Sequence, residues 1–318
     1  MPTGARKLVD DGLSRLNMMG LKDRALYAVG GIWRSFARVD MEAIEYPAAC
    51  PAGIRDPAQP GAQALPRAFR AVAQIGREDE GGVQAPRRSL PYGAIVLERL
   101  LLACDLRSVV ISAYGLREGI LYARLAPEER GLDPLLEFAE GYNARQARSP
   151  GHAQEMFDWM APLFGDETAE LKRIRRAVCL FSDVAWRRHP DDRAIGSFGQ
   201  VLTAPFAGAD HRARALIATS VHHRYSGDED FPRDIANADL LNKDDELRSL
   251  RIGLACRLAF ALSASSTDAL PHYKLRATPA KIVLDIPRRD EAIAGEPVQK
   301  RLGALAAAFD RKGEIVIG

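Results

Sequence analysis

The stretch LYAVGGIW, from Leu26 to Trp33, runs apolar residues into two adjacent glycines and then a bulky aromatic. Glycine at a strand-to-helix turn accepts positive φ and lets backbone approach a ligand closely. The first turn of the helix beyond it presents free N–H groups and the positive end of a dipole, which suit an oxyanion or phosphate. Gly30 and Gly31 are therefore candidate phosphate-binding residues; a tight turn with no ligand is the competing reading. No GxGxxG or GxxxxGK[ST] motif accompanies them. A second candidate is the Arg117-Glu118-Gly119 turn, where Arg117 can meet a phosphate through two N–H groups and Glu118 can hold it in place. The alternative is an Arg–Glu ion pair that stitches a loop to the helical part. In LKRIRRAVCLFSDVAWRR, Arg173, Arg176 and Arg187 stand out as a polyanion track, against the reading that such a run is a solvated helix face.

The histidines and acids of the second half fall short of a metal site. Ser182-Asp183 puts a poor ligand beside a good one. His189, Asp191 and Asp192 belong to a loop, and Asp210-His211 has the form of a helix N-cap and its first-turn neighbour. His222 and His223 would point about 100° apart on a helix and would not chelate together. No metal is expected in this half, and a solvated surface accounts for most of these residues.

The elements that must position these groups follow from periodicity. Val9, Leu13 and Leu16 fit a helical stripe, LYAV a short strand, and Trp33, Phe36, Ala37 and Met41 one face of a helix. Residues 48–88, dense in Pro, Gly, Ala and Arg, show no period and read as loop, with one helical turn near Phe69. A buried helix in LPYGAIVLERLLLACDL, a β-branched strand in RSVVISAYG and a turn into a helix in LREGILYARL follow. Beyond Pro127 the chain reads as mostly helical: LLEFAEGYNARQA, HAQEMFDWMAPLF, TAELKRIRRAVCLFSDVAWRR, DHRARALIATSVHHRY and LRSLRIGLACRLAFALSAS. Two strands, AKIVLDIP and GEIVIG, close the chain around the helix PVQKRLGALAAAF.

Taken as a set, YAVGG-x-W-R, LPYGA-x-VLE and GLREG-x-LY resemble the exopolyphosphatase and guanosine pentaphosphate phosphatase family (Ppx/GppA). The resemblance continues through LFSDVAWRRHPDDR, LRIGLACRLAFALS and KRLGALAAAFDRKGEIVI, and covers nearly all of the chain except 48–88. It implies a fold of α/β plus all-α type. A partial ribonuclease H-like (actin-like ATPase) domain over 1–125 would precede an HD-related helical domain over 126–318 with a small terminal α/β element. It implies a hydrolase that releases terminal phosphate from polyphosphate or guanosine pentaphosphate, with Mg and a water-activating carboxylate. The family's first phosphate loop, that carboxylate and its DLGGGS-type loop precede the YAVGG segment and are not found in these residues, which implies an N-terminal lobe missing and no activity from this chain as it stands. A non-catalytic polyanion-binding or regulatory protein on the helical half is the first rival reading. An HD-type phosphohydrolase working from that half alone is the second.

A net charge of +2 gives no strong field toward nucleic acid. Charges break up the first twenty-five residues, so no signal-peptide core fits there, and Arg251 and Arg257 interrupt the most apolar late stretch, so no membrane partner is expected. Cys50, Cys104, Cys179 and Cys256 form no CxxC pair, which suits a cytoplasmic protein. An exposed half-cleft would favour a homodimer. Finally, family members continue after the Tyr-Pro with a segment like LHVLHGYEI, whereas Tyr46-Pro47 here is followed by AACPAGIRD. A one-nucleotide shift of a permitted back-translation reads LHVLQGYEI. Residues from 48 to about 86 are therefore expected to be out of frame, poorly packed, and to have replaced a strand of the sheet.

Overall fold

The structure, a computed structural model, describes residues 3–16, 20–43, 86–227 and 240–318. The irregular, out-of-frame expectation falls almost wholly on residues outside the described ones, as does Cys50; its last residues, 86–88, already belong to a helix. The chain divides into two compact units, Met1–Gly131 and Leu132–Gly318.

The first unit is α/β. Helix α1 (Thr3–Leu13) precedes strand β1 (Ala25–Val29), which runs into α2 (Gly31–Ala43); α3 (Pro86–Cys104) then leads to β2 (Ser108–Ser112) and α4 (Leu116–Ala123), with a single turn α5 (Pro127–Arg130) behind it. β1 and β2 pair in parallel, from Ala25 opposite Ser108 to Val29 opposite Ser112. The alternation of a strand decides the packing. Ala28 and Ile111, paired in register, pack with Ala37 of α2, while Phe36 closes on Leu90, Ala94, Leu97 and Leu101 of α3. Tyr27 and Val29 point to the other face and are exposed.

The second unit is helical with a small sheet. Its helices are α6 (Pro134–Gln146), α7 (His152–Trp159), α8 (Ala169–Phe181), α9 (Arg193–Leu202), α10 (His211–Ser226) and α11 (Lys243–Ser263). Side-chain caps set their starts: Asp133, Thr168, Asp210 and Asn242 each accept a backbone N–H from the first turn of the helix that follows. α10 and α11 carry buried residues around most of their circumference and form the centre of the unit. Strands β3 (Lys274–Ala277), β4 (Lys281–Ile286) and β5 (Lys312–Ile317) make one sheet in that order, β3 antiparallel to β4 and β4 parallel to β5. The β4–β5 crossover is α12 (Glu296–Ala307), whose Val298, Leu302 and Leu305 join Ile282, Leu284 and Ile286 in the core of the unit.

Three sequence expectations need correction. The helix read through TAELKRIRRAVCLFSDVAWRR ends at Phe181, where Ser182 caps it by donating its hydroxyl to the Cys179 carbonyl at 2.7 Å. α9 and β3 were not anticipated, because their short apolar runs sit between turn-forming residues and show too few repeats of a period. The solvated-surface reading fails for Asp183, His211, His222 and His223, all of which are buried. α10 lies between α9 and α11, so its polar residues go inside with the rest of it. His189, Asp191 and Asp192 do lie exposed, at a single 3-10 turn. Among the described residues, no helix is long and apolar enough to cross a membrane.

Candidate functional site

Both parallel strands of the first unit end at the same edge, and each feeds a helix there. Val29 leads to Gly30, whose φ of +131° is a left-handed conformation that a side chain would strain, and Gly31 opens α2 with open space where a Cβ would stand. Ser112 ends β2, and its hydroxyl holds the Tyr114 N–H at 3.1 Å in a tight turn before Gly115 and α4. Brought to one edge in this way are Gly30, Gly31, Arg117 and Glu118. Such an edge, beyond the carboxyl ends of parallel strands, is where α/β sheets hold ligands.

The Glu118 carboxylate does not pair with Arg117. It accepts the Gly115 N–H at 2.7 Å and closes the first turn of α4. That backbone hydrogen bond, joined by the Glu118 N–H and by the positive fields of Arg117 and Arg34, holds its carboxyl below the usual glutamate range. Arg117 is exposed and makes no hydrogen bond or ion pair among the described residues. Sequence reasoning missed Arg34. It sits one turn into α2 and donates from Nη1 to the Ala113 carbonyl at 3.2 Å, which ties the start of α2 to the end of β2. Its signal was the Arg that closes YAVGG-x-W-R.

Arg173, Arg176 and Arg187 are placed differently from one another. Arg173 forks onto Asp133 and also donates to Glu170 and to the Gly208 carbonyl, so it ties α8 to the start of α6. Arg176 pairs with Glu140 of α6 at 2.6 Å, half-exposed. Arg187 lies beyond the helix end, over the Trp186 ring and against the Gln146 carbonyl at 3.2 Å. Arg175, between the first two, is buried against Glu167 at 2.6 Å.

Around Asp183 the structure builds a buried polar network. The Arg148 guanidinium forks onto both Asp183 oxygens at 3.0 and 2.7 Å, the Arg148 N–H reaches it at 3.0 Å, and Arg224 stands 3.6 Å away between the Tyr225 and Phe260 rings. His152 is close by, its Nε2 2.7 Å from the Ser263 hydroxyl, and burial pushes its pKa down to about 4. Two guanidiniums occupy and neutralise the one carboxylate, so the network repels a divalent cation instead of holding one. His222 and His223 meet edge to face with ring centres 5.6 Å apart, each buried. Among the described residues no three His, Cys, Asp or Glu side chains converge as metal ligands.

Mg is a poor fit to these residues. It takes about six oxygens in near-octahedral geometry, commonly with one or two carboxylates. At the strand edge Glu118 is already engaged by the Gly115 N–H, and the Ser112 hydroxyl is engaged by Tyr114.

The family model described as "Exopolyphosphatase, C-terminal" matches residues 135–316, more than half of the chain. No curated protein matches.

Proposed function

Since this chain belongs to the exopolyphosphatase C-terminal family, we propose that it serves the release of terminal phosphate from polyphosphate, and that these residues bind the phosphate chain without hydrolysing it. Guanosine pentaphosphate is the second substrate that the sequence resemblance implies. In this reading the first unit is part of a ribonuclease H-like domain and the second an HD-related helical domain. Cys104, Cys179 and Cys256 are buried and outside any disulfide among the described residues, which accords with a cytoplasmic setting.

One observation carries the reading: the shared strand edge at which Gly30, Gly31, Arg34 and Arg117 meet. Phosphate oxygens would accept the unpaired N–H groups at the start of α2 and the Arg117 guanidinium, with Arg34 held in place by Ala113. Hydrolysis needs more. A water must be deprotonated and aimed at phosphorus, and Glu118 is a poor base because the Gly115 N–H stabilises its ionised form. Positioning and electrostatic stabilisation together account for most of such a rate enhancement.

The test has two arms. Purified protein given polyphosphate should release phosphate at the blank rate; release above blank ends the binding-only reading. Polyphosphate titrated at low salt should bind and weaken steeply as salt rises. The pair Arg34→Gln and Arg117→Gln should weaken that binding by at least about tenfold, the worth of losing even one charge-assisted contact. Unchanged affinity in that variant removes the edge from the site.

A further inference from the structure

Between α6, the start of α7 and α8, a cavity of about 270 Å³ opens in the second unit. Its volume lies at the small end of ligand sites, which suits a small molecule. Its wall carries Glu140 and Asn143 of α6, Gln154 of α7 and Arg176 of α8, with Ala153 and Leu180 as apolar wall. Asn143 is only 6% exposed, and its Nδ2 donates to the Pro150 carbonyl at 2.9 Å. A carbonyl can only accept, so that contact orients the amide and leaves its Oδ1 for the hollow, without a donor among the described residues. Buried amide oxygens are normally hydrogen-bonded. Gln154 repeats the pattern: its Nε2 donates to the Asp158 carboxylate at 2.8 Å, which leaves its Oε1 without a donor there. Glu140 receives the Arg176 Nη2 on Oε1 at 2.6 Å, while its Oε2 and the Arg176 Nη1 have no partner among the described residues. The Arg176 Nε is buried without an acceptor, so Glu140 alone does not match this guanidinium. The pair is about two-fifths exposed on both sides, where such a bridge contributes at most about 1 kcal/mol and a ligand can share it.

The hollow thus offers three oxygens that lack donors, one of them charged, beside a guanidinium that lacks acceptors. Its charged wall residues, Glu140 and Arg176, sum to zero, which gives no hold on a simple anion or a simple cation. An α-ammonium group has three N–H donors, and the carboxylate beside it accepts from a guanidinium through charge-assisted bonds. Laid along the Glu140–Arg176 pair with its own charges reversed, such a zwitterion closes a ring of four alternating charges.

We propose that this cavity binds a free α-amino acid with an aliphatic side chain, its ammonium group on Glu140, Asn143 and Gln154, its carboxylate on Arg176 and its side chain on Leu180. The site lies within the second unit and depends neither on the strand edge nor on phosphate binding.

The experiment is calorimetric titration of the full chain with L-leucine up to millimolar concentration. Two analogues separate the charges: 3-methylbutylamine keeps the ammonium group and side chain, and 4-methylpentanoate keeps the carboxylate and side chain. L-leucine should bind, and each analogue should bind at least about tenfold more weakly, the worth of one charge-assisted contact. Glu140→Gln and Arg176→Gln should each weaken leucine by a similar factor with little change in melting temperature, since the pair they break is half-exposed. Gln154→Ala, at an exposed residue, should weaken it several-fold. Glycine, which leaves Leu180 uncovered, should also bind several-fold more weakly than leucine. Absence of leucine binding, either analogue binding as tightly as leucine, or affinity unmoved by Glu140→Gln or by Arg176→Gln would each overturn the proposal. Glycine binding as tightly as leucine would remove the aliphatic ligand class. Excess inorganic tripolyphosphate should leave leucine bound; displacement would make the hollow an anion site and overturn the proposal, whatever happens at the strand edge.

Discussion

At the scale of single residues, the two glycines of the opening stretch do different work although the sequence writes them alike. Gly30 holds φ +131°, and Gly31 is helical with open space around it. Gly30→Ala should therefore lower stability by about 1–2 kcal/mol. Gly31→Ala should stay within about 0.5 kcal/mol of the parent. Urea unfolding of the two variants checks both, and equal effects would mean that the turn is not strained. His152 carries a second prediction. Burial, aided by the fields of Arg224 and Arg148 against that of Asp183, lowers its pKa from 6.5 to about 4. Between those values the unfolded chain binds the proton and the folded one does not, so stability rises with pH across that window. The contribution is fully present above pH 6.5 and lost as pH falls toward 4. The loss should be on the order of 3 kcal/mol. His152→Gln should flatten the slope of unfolding free energy against pH in that range; an unaltered slope would show that other groups produce it.

At the scale of elements, the crossing of α10 and α11 depends on one small residue. A Cβ at Gly253 would stand 2.5 Å from the His223 Cβ and 2.6 Å from the Ser220 carbonyl oxygen, both on the facing helix. Gly253→Ala should cost about 1–3 kcal/mol through overpacking. Gly303→Ala on α12, where a Cβ meets nothing, should instead be neutral or stabilising by up to about 1 kcal/mol. Thermal melts of the pair separate a packing glycine from an incidental one. The elements themselves were unevenly legible. LYAV, RSVVIS, AKIVLDIP and GEIVIG read as strands because β-branched and apolar residues recur in short runs, and they are strands. The end of α8 was not legible. Nothing in LFSDVAWRR marks a stop there, since Asp183 leaves the helix to meet Arg148 and Arg224 from elsewhere in the unit.

At the scale of the whole molecule, the two units differ in how much core each has. The second has one continuous apolar interior reaching from Leu135 to Ala308. Among the described residues the first has two small clusters, and Tyr27, Val29, Leu116, Ile120 and Leu121 remain exposed. Parallel strands are normally covered on both faces. Native-state hydrogen exchange should therefore find the amides of β1 and β2 opening at lower free energy than those at the centres of α10 and α11. Equal protection in the two units would show that the exposed face does not weaken the first. The sequence by itself determined the family, through motifs whose order survives in the linear chain, and most of the elements, through local periodicity. It also singled out Gly30, Gly31, Arg117 and Glu118. Only the tertiary structure decided which charges are committed to the fold. Arg173, Arg175 and Arg257 have the same side chain and charge. Whether one faces a carboxylate, a helix end or an open cavity is set by segments tens of residues away, and no spacing along the chain records that.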